Sequence, residues 1–139
     1  MWIQKYEETF KGLKTADVWK MWADVDRWPE WHGDLEACKL HGPFAVGSYF
    51  MLTPKGHKAV RVDITEMQEG LTFTDCTKFP GARMYDMHRV EKTRDGVRIW
   101  NEVRVKGPLS WLWVKLVARG VAAAAPEETQ ALVRQVKAA

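Results

Sequence analysis

Alternating apolar and polar positions at the start of the chain predict a half-buried strand. Trp2, Tyr6 and Phe10 fall on one side of it, and polar side chains fall on the other. The apolar spacing then becomes helical over residues 15–25. A proline near the start of residues 28–32 is typical of a second, very short helix. We therefore expect one strand followed by two short helices.

From residue 35 to residue 106 the chain predicts about six further strands. They are separated by the turn sequences HGPF, PKG, QEG, FPG and RDG. A two-residue turn at residues 95–96 would place Val90 opposite Asn101 and His88 opposite Val103. This register sorts the apolar side chains of both strands onto one face, as a sheet with one buried face requires.

A second hairpin, turning at residues 69–70, pairs Glu66 with Phe73 and Ile64 with Asp75. The strand over residues 48–53 is less well determined, because both of its faces carry apolar side chains. Its inward face stays open between two choices, Phe50 with Leu52 or Tyr49 with Met51.

After Gly107 and Pro108 the apolar positions return at helical spacing and predict one long C-terminal helix. Its expected sheet-facing side consists of Leu109, Leu112, Trp113, Leu116, Val117 and Val121. The pattern as a whole predicts an α+β fold in a single domain, residues 1–139. In that fold a curved antiparallel β-sheet of about seven strands grips the C-terminal helix, with the two short helices between strands 1 and 2.

Composition and charge exclude several classes of protein. The chain has 139 residues, of which 46% are hydrophobic and 28% charged, as in ordinary globular domains. The 21 cationic residues are interleaved with 18 acidic ones and leave a net charge of only +3, so we expect no nucleic-acid partner. The most apolar region, residues 109–125, carries Lys115 and Arg119 and is too short and too charged to span a membrane.

The cysteine pattern suggests neither a metal site nor a cofactor. Cys38 and Cys76 lie far apart, without a CxxC motif or nearby histidines at ligand spacing. We expect two buried free thiols in a reducing compartment. The first ten residues also lack the apolar core of a signal peptide, so a cytoplasmic location is expected.

Three stretches carry a family resemblance: ADVWKMWADVDRWPEW, then HGPFAVGSYFMLTPKG, then DGVRIWNEVRVKGPL leading into the last helix. With them the chain resembles the START/polyketide-cyclase superfamily, the helix-grip fold also seen in birch-pollen allergens, over essentially its whole length. The resemblance implies a cavity between sheet and C-terminal helix that holds a lipid, a polyketide or an isoprenoid-like molecule. It also implies that Trp22, Trp28 and Trp31 plug one open end of the sheet.

The side chains predicted to face inward suit such a cavity, which in proteins is mostly apolar with a few polar groups. The residues expected to contact a ligand are Trp28, Trp31, Ile64, Phe73, Asp75, Val90, Ile99, Val103, Leu112, Trp113 and Leu116, with Val62 also facing inward.

Four of the inward positions are polar and carry the strongest chemical signal: Asp75, Asp86, His88 and Asn101. Asp86 and His88 are two residues apart on one strand, hence on one face, and are able to titrate near neutrality as a pair. With Asn101 they form a candidate catalytic set that polarises a carbonyl and moves a proton. The alternative is that these side chains lie at an open rim and are simply solvated.

Three functions follow from these patterns. The first is binding of a small hydrophobic or aromatic molecule, the second a polyketide cyclase or dehydratase using Asp86, His88 and Asn101, and the third a protein-interaction domain like relatives that stimulate a chaperone. His32 is expected to be a surface or capping residue. Trp111 is expected either to mark a partner surface or to pack against the strand rim. The oligomeric state stays open, a homodimer included.

Overall fold

Seven antiparallel strands form one sheet in the computed structural model, which describes residues 1–139. Their order across the sheet is β1-β7-β6-β5-β4-β3-β2, so the first strand lies beside the last. The predicted seven-stranded antiparallel sheet is therefore confirmed. The strands are β1 Trp2–Phe10, β2 Leu35–His41, β3 Tyr49–Pro54, β4 Val60–Gln68, β5 Thr72–Phe79, β6 Ala82–Thr93 and β7 Gly96–Lys106.

The predicted order of the helices is confirmed, but the second short helix covers Val25–Glu30 and not residues 28–32. An α-helix (α1, Thr15–Ala23) and a 3₁₀ helix (Val25–Glu30) connect β1 to β2. After β7 comes a long helical segment, here called the C-terminal helix. It consists of a short α-helix (α2, Ser110–Trp113), a π-helical turn (Val114–Ala118) and a long α-helix (α3, Arg119–Ala138).

The hairpin of β6 and β7 turns one residue earlier than predicted, at residues 94–95 instead of 95–96. Thr93 pairs with Gly96, so His88 lies opposite Asn101 rather than Val103. The predicted register is wrong by two positions along the strand. Side chains alternate between faces with a period of two, so this even shift leaves every side chain on its predicted face.

The hairpin of β4 and β5 follows the prediction in part. Ile64 pairs with Asp75 as expected. The predicted pairing of Glu66 with Phe73 is wrong, because a β-bulge between Ile64 and Glu66 shifts the register and brings Met67 opposite Phe73. In β3 the open question is settled, since Phe50 is fully buried in the core.

The buried side of the C-terminal helix differs from the predicted one. It is formed by Val114, Ala118, Ala122, Ala125, Thr129, Leu132 and Val133. Leu116, predicted to face the sheet, is 61% exposed, and Leu109 is exposed as well. The π-helical turn holds one residue more than an α-helical turn, which rotates the following positions by about 100°. The alanines then bring the helix backbone close to the sheet.

The core consists of two apolar clusters with a polar band between them. The first cluster contains the tryptophans of the short helices, Val90 of β6 and Ile99 of β7. The second contains Met84 of β6 and Val103 of β7, at the start of the C-terminal helix. Between these positions the inward side chains of both strands are polar, and they form the site described next.

Candidate functional site

Three neighbouring strands build the polar band. Asp75 of β5 pairs with Asp86 of β6, and His88 of β6 pairs with Asn101 of β7. Since directly paired residues point to the same face, the four side chains meet beneath the C-terminal helix. The structure thus brings together all four polar residues that the sequence singled out.

His88 is the centre of this group. Its Nε2 atom lies 3.5 Å from Asp86 Oδ1 and 3.7 Å from Asp75 Oδ2. The Asn101 side-chain amide donates a hydrogen bond to Asp86 Oδ1. The imidazole also stacks on the Phe73 ring at a centroid distance of 4.4 Å. Charge and packing together hold the ring in one orientation, and the alternative of a solvated rim is wrong because His88 and Asp75 are both buried.

Burial and mutual charge shift the pKa values of the group. Burial raises the pKa of Asp86 to about 7, and the charge of His88 offsets this only in part. Burial also raises the pKa of Asp75. For His88 burial favours the neutral ring, but the carboxylates of Asp86 and Asp75 outweigh it and raise the pKa to about 9. At neutral pH the site therefore carries a protonated imidazole beside a carboxyl group that readily gains or loses a proton.

A second ion pair lies next to this group. His32, in the loop after the 3₁₀ helix, has its Nε2 atom 3.2 Å from Oε2 of Glu128 on α3. Burial opposes the charged form of both groups, but their mutual hydrogen bond prevails, lowering the pKa of Glu128 and raising that of His32. His32 is thus a half-buried partner of the C-terminal helix and not a surface residue, while its Nδ1 atom accepts a hydrogen bond from the Asp34 amide at 3.4 Å, in line with the predicted capping role.

Sequence reasoning missed Glu128 altogether. The sequence feature that could have identified Glu128 is the stripe of small residues on the C-terminal helix. When the stripe of Ala118, Ala122 and Ala125 is continued at helical spacing, it passes through Glu128 and Leu132. An acidic residue on that stripe faces the sheet and requires a cationic partner there.

A small cavity opens above His88 and Asn101. Its volume is about 20 Å³, and it is lined by Trp22, Trp31, His88, Ile99, Trp100, Asn101, Ala125, Glu128, Thr129 and Leu132. A space of this size holds roughly one water molecule. The predicted ligand-sized cavity between sheet and helix is therefore not open in this conformation, because the alanine-rich helix lies close and two tryptophans fill the space.

Solved structures with the same architecture place this geometry in context. A START superfamily protein from Mycobacterium smegmatis has a TM-score of 0.68 at 13% identity, covering 97% of each chain. Norcoclaurine synthase from Thalictrum flavum, in complex with dopamine and hydroxybenzaldehyde, has a TM-score of 0.65 at 13% identity, covering 96% of this chain and 86% of that one. The chain has the helix-grip fold.

A third similar structure is the di-domain ARO/CYC protein StfQ from the steffimycin biosynthetic pathway. Its TM-score is 0.70 at 15% identity, and the match covers 94% of this chain but 49% of StfQ, so the helix-grip chain spans about half of that protein. No protein-family model matches the sequence. No curated protein matches it either. None of its helices is long and apolar enough to cross a bilayer.

The tryptophans that follow β1 are buried in this helix-grip fold, as the predicted plug requires. Trp22, Trp28 and Trp31 all belong to the first apolar cluster. The Trp28 indole donates a hydrogen bond to the Trp22 carbonyl at 3.1 Å. The Trp31 indole nitrogen, in contrast, is buried without a hydrogen-bond partner. A buried donor without a partner costs roughly 1–3 kcal/mol, and the packing of the Trp31 ring has to offset this cost.

The other predicted ligand contacts divide into two groups. Ile64, Phe73 and Val90 are buried in the first cluster beside the polar band, and Ile99 lines the cavity itself. Val103 lies in the second cluster. Three predicted contacts on the C-terminal helix do not line the cavity: Leu112, Trp113 and Leu116. Leu112 and Trp113 belong to the short α2 at its start, where Trp113 packs against the second cluster, and Leu116 is exposed.

Trp113 has a different partner. Its ring stacks on Phe79 at a centroid distance of 4.4 Å, and its indole donates to the Pro80 carbonyl at 2.8 Å. These contacts fix the start of the C-terminal helix to the turn between β5 and β6. Trp111, two residues earlier, packs on nothing comparable and is 67% exposed.

A larger groove lies on the outer side of the tryptophan plug. It has a volume of about 370 Å³ and runs between α1, the 3₁₀ helix and the end of α3. Its lining consists of Asp17, Lys20, Met21, Asp24, Arg27, Glu30, Trp31, Gln135, Val136 and Ala139. Trp31 also borders the inner cavity, so its indole separates the outer groove from His88 and Asn101.

Proposed function

We propose that this protein binds a small aromatic or apolar molecule at the tryptophan-lined opening above His88. The observation that carries the proposal is the position of Trp31. Its indole separates a groove of about 370 Å³ from an inner cavity of about 20 Å³, and its buried nitrogen has no partner. When this side chain moves, the two spaces join into one site of the size that small ligands occupy, roughly 300–1,000 Å³.

The chemistry of the joined site favours an aromatic ligand with one polar end. Trp22 and Trp31 supply apolar ring surfaces, while His88 and Glu128 supply charged hydrogen-bonding groups. Aromatic rings gain from edge and face contacts with indoles, and a few polar groups fix the orientation of the ligand. The norcoclaurine synthase with the same fold holds dopamine and hydroxybenzaldehyde, each of which has one ring with polar substituents.

The compartment proposed for this binding protein is the cytoplasm. Both cysteines, Cys38 and Cys76, are free and buried in the structure. Free thiols are typical of proteins that stay in a reducing environment.

Titration with hydroxybenzaldehyde, followed by NMR, tests the binding site. The indole N–H resonances of Trp31 and Trp22 and the ring resonances of His88 should shift together and saturate. Shifts confined to exposed Trp111, or none at the solubility limit of the probe, would refute the site. Native mass spectrometry of gently purified protein offers an independent check, because a bound small molecule adds its own mass.

A proton-transfer enzyme of the polyketide cyclase or dehydratase type is a second candidate. It is favoured by the adjacent Asp86 and His88, whose pKa values lie near 7 and 9. In this mechanism ionised Asp86 takes a proton from the carbon beside a substrate carbonyl, and the imidazolium of His88 gives its Nε2 proton to the carbonyl oxygen, which yields the enol. The side-chain amide of Asn101 is already hydrogen-bonded to Asp86. In this mechanism His88, and not Asn101, therefore contacts the substrate carbonyl.

A further inference from the structure

One end of the sheet carries a row of cations without partners. Lys78 of β5 lies opposite Arg83 of β6, and Arg83 lies opposite Lys106 of β7. All three side chains are exposed, and none forms an ion pair with a carboxylate. Like charges directly opposite each other destabilise a sheet. The only partner that the row has within the chain is the Tyr85 ring, 5.6 Å from Lys106 Nζ, and an anion that binds from outside offsets the repulsion.

Exposed apolar side chains lie at the same end. The Leu109 amide donates to the Gly81 carbonyl at 2.9 Å, which fixes the start of the C-terminal helix beside the turn between β5 and β6. From there Trp111 and Leu116 project into solvent at 67% and 61% exposure, and Leu109, which packs over Gly81, is 37% exposed. We call these three residues, the cationic row, Lys115 and Arg119 the basic end.

The sequence around the helix start is free of acidic residues. Residues 103–126 contain Arg104, Lys106, Lys115 and Arg119 but no aspartate or glutamate. The net charge of the whole chain is only +3, so this segment alone holds a charge of +4. Arg104 pairs with Glu102, so Lys106, Lys115 and Arg119 carry the unpaired positive charge of this segment, at the end of the molecule that also exposes tryptophan and leucine.

We propose that the basic end docks on an anionic lipid surface. Tryptophan is enriched at the level of the lipid headgroups, where its ring is partly buried and its N–H stays hydrated. Leu109 and Leu116 flank Trp111 and add apolar area that a bilayer interface buries. The lysine and arginine side chains are placed to contact the lipid phosphates around this centre. Docking does not depend on a ligand above His88, so a failed test of membrane docking would leave the proposed ligand binding unaffected.

Charge and shape argue against other partners for the basic end. Exposed leucines have no role on a nucleic acid, which binds aromatic and cationic side chains. The core of a protein interface is depleted in lysine, whereas here Lys115 lies between the exposed Trp111 and Leu116. An anionic bilayer accepts both kinds of side chain at once.

Vesicle sedimentation with the full chain tests the proposal. The protein should co-sediment with vesicles of phosphatidylcholine mixed with phosphatidylglycerol. With vesicles of phosphatidylcholine alone it should remain in the supernatant. Added salt should release it, because screening weakens the attraction to the lipid charges. Lipids with brominated chains should quench part of the tryptophan emission of the bound protein.

Matched variants locate the contact. Lys115→Gln should weaken binding about fivefold, the contribution of one cation at an anionic surface. Arg94→Gln removes the same charge from the turn between β6 and β7, at the opposite end of the sheet, and should bind as the parent does. Trp111→Ser should weaken binding and remove most of the quenching by brominated lipid. Trp111 is exposed, so this variant should keep the circular dichroism spectrum and the melting temperature of the parent.

Four outcomes would overturn the proposal. They are absence of sedimentation with the anionic vesicles, equal sedimentation with neutral ones, equal loss of binding in Arg94→Gln and Lys115→Gln, and unchanged binding in Trp111→Ser. Binding of a single-stranded oligonucleotide that depends on Trp111, in place of vesicle binding, would assign the basic end to a nucleic acid instead.

Discussion

His32 and Glu128 join the segment after the 3₁₀ helix to the C-terminal helix, with Nε2 and Oε2 3.2 Å apart. Both side chains are mostly buried, so little water competes for their hydrogen bond. The pair spans the edge of the cavity above His88, because Glu128 is also one of its lining residues. Its strength therefore bears on both the stability of the fold and access to the site.

Replacing His32 by alanine should destabilise the protein. The substitution leaves Glu128 buried without its partner, and loss of a hydrogen bond to a charged group costs about 1.5–3 kcal/mol. His57→Ala is the matched control, because His57 is exposed in a turn and should change the unfolding free energy by less than about 0.5 kcal/mol. Urea unfolding followed by circular dichroism measures both. Equal effects of the two substitutions would show that the pair contributes nothing.

The stabilising effect of this pair should decrease both in acid and at alkaline pH. The pKa of Glu128 is lowered on folding, so its contribution is present above its unfolded pKa, about 4.3, and is lost in acid. The pKa of His32 is raised, so its contribution is complete below about pH 6.5 and is lost as the pH rises through the folded value. The stability difference between the parent and His32→Ala should therefore be largest between about pH 4.5 and 6.5. A difference that stays the same in acid and at alkaline pH as it is within this range would contradict the assignment.

His88 should titrate far above an ordinary histidine. NMR of its ring protons should give a pKa of about 9, because Asp86 and Asp75 stabilise the imidazolium. The unfolding free energy should accordingly fall as the pH rises from about 6.5 to about 9. In Asp86→Asn one of the two carboxylates is lost, and the pKa of His88 should drop. Titration of His88 near 6.5 in the parent protein would show that the carboxylates do not control its charge.

If the site transfers protons, the pH dependence of its rate should reflect the ionisation of Asp86 and His88. The active form has Asp86 ionised and His88 protonated, so kcat/KM for a carbonyl substrate should rise through about pH 7 and fall through about pH 9. Asp86→Asn should abolish turnover but leave hydroxybenzaldehyde binding intact. Asp63→Asn removes a carboxylate from β4, where it pairs with Arg61, and should leave turnover unchanged. Turnover retained in Asp86→Asn would end the enzymatic interpretation.

Trp31→Ala should join the groove to the inner cavity. Its folding cost should be about 3–5 kcal/mol, as for other buried tryptophans. Hydroxybenzaldehyde should nevertheless bind this variant more tightly than the parent, because the indole no longer blocks the path to His88. Trp28→Ala removes an indole of equal size that borders neither space, so it should lower stability without tighter binding. Calorimetric titration of both variants separates the two effects, and equal affinities would argue against Trp31 as the barrier.

Close packing of the C-terminal helix should make its alanines intolerant of larger side chains. Ala122→Leu places extra volume against the sheet and should cost about 1–3 kcal/mol. Gly120, on the solvent side, has open space where a Cβ atom would lie. Gly120→Ala should therefore stabilise the helix by roughly 0.5–1 kcal/mol. Melting temperatures that move in the same direction for both variants would contradict this packing.

The sequence predicts the sheet well because strand patterns repeat every two residues. An error of two positions in the pairing of β6 with β7 left His88 and Asn101 on the correct face, so the polar band could be predicted before its geometry was known. The bulge in β4 could not be predicted, because an extra residue in one strand does not change the composition of the sequence. The helix face was missed for a similar reason, because a π-helical turn changes the phase of a pattern that otherwise reads as regular.

The size of the cavity could not be read from the sequence at all. It depends on the distance between helix and sheet, which Ala118 and Ala122 set by packing rather than by pattern. The contact of His32 with Glu128 joins positions 96 residues apart and likewise follows from the assembled fold. Residue type and alternation locate chemical groups on a face, whereas volumes and cross-element pairs need coordinates.

The neighbouring positions of β1 and β7 have a consequence for how the protein forms. Trp2 pairs with Val105, and Phe10 pairs with Val97, so β1 leaves the ribosome well before the strand that provides its hydrogen-bonding partner. Closing so long a loop is slow, and the waiting strand leaves apolar side chains open to water. Newly made copies are therefore most prone to aggregate, and most in need of a chaperone, in the interval before β7 arrives.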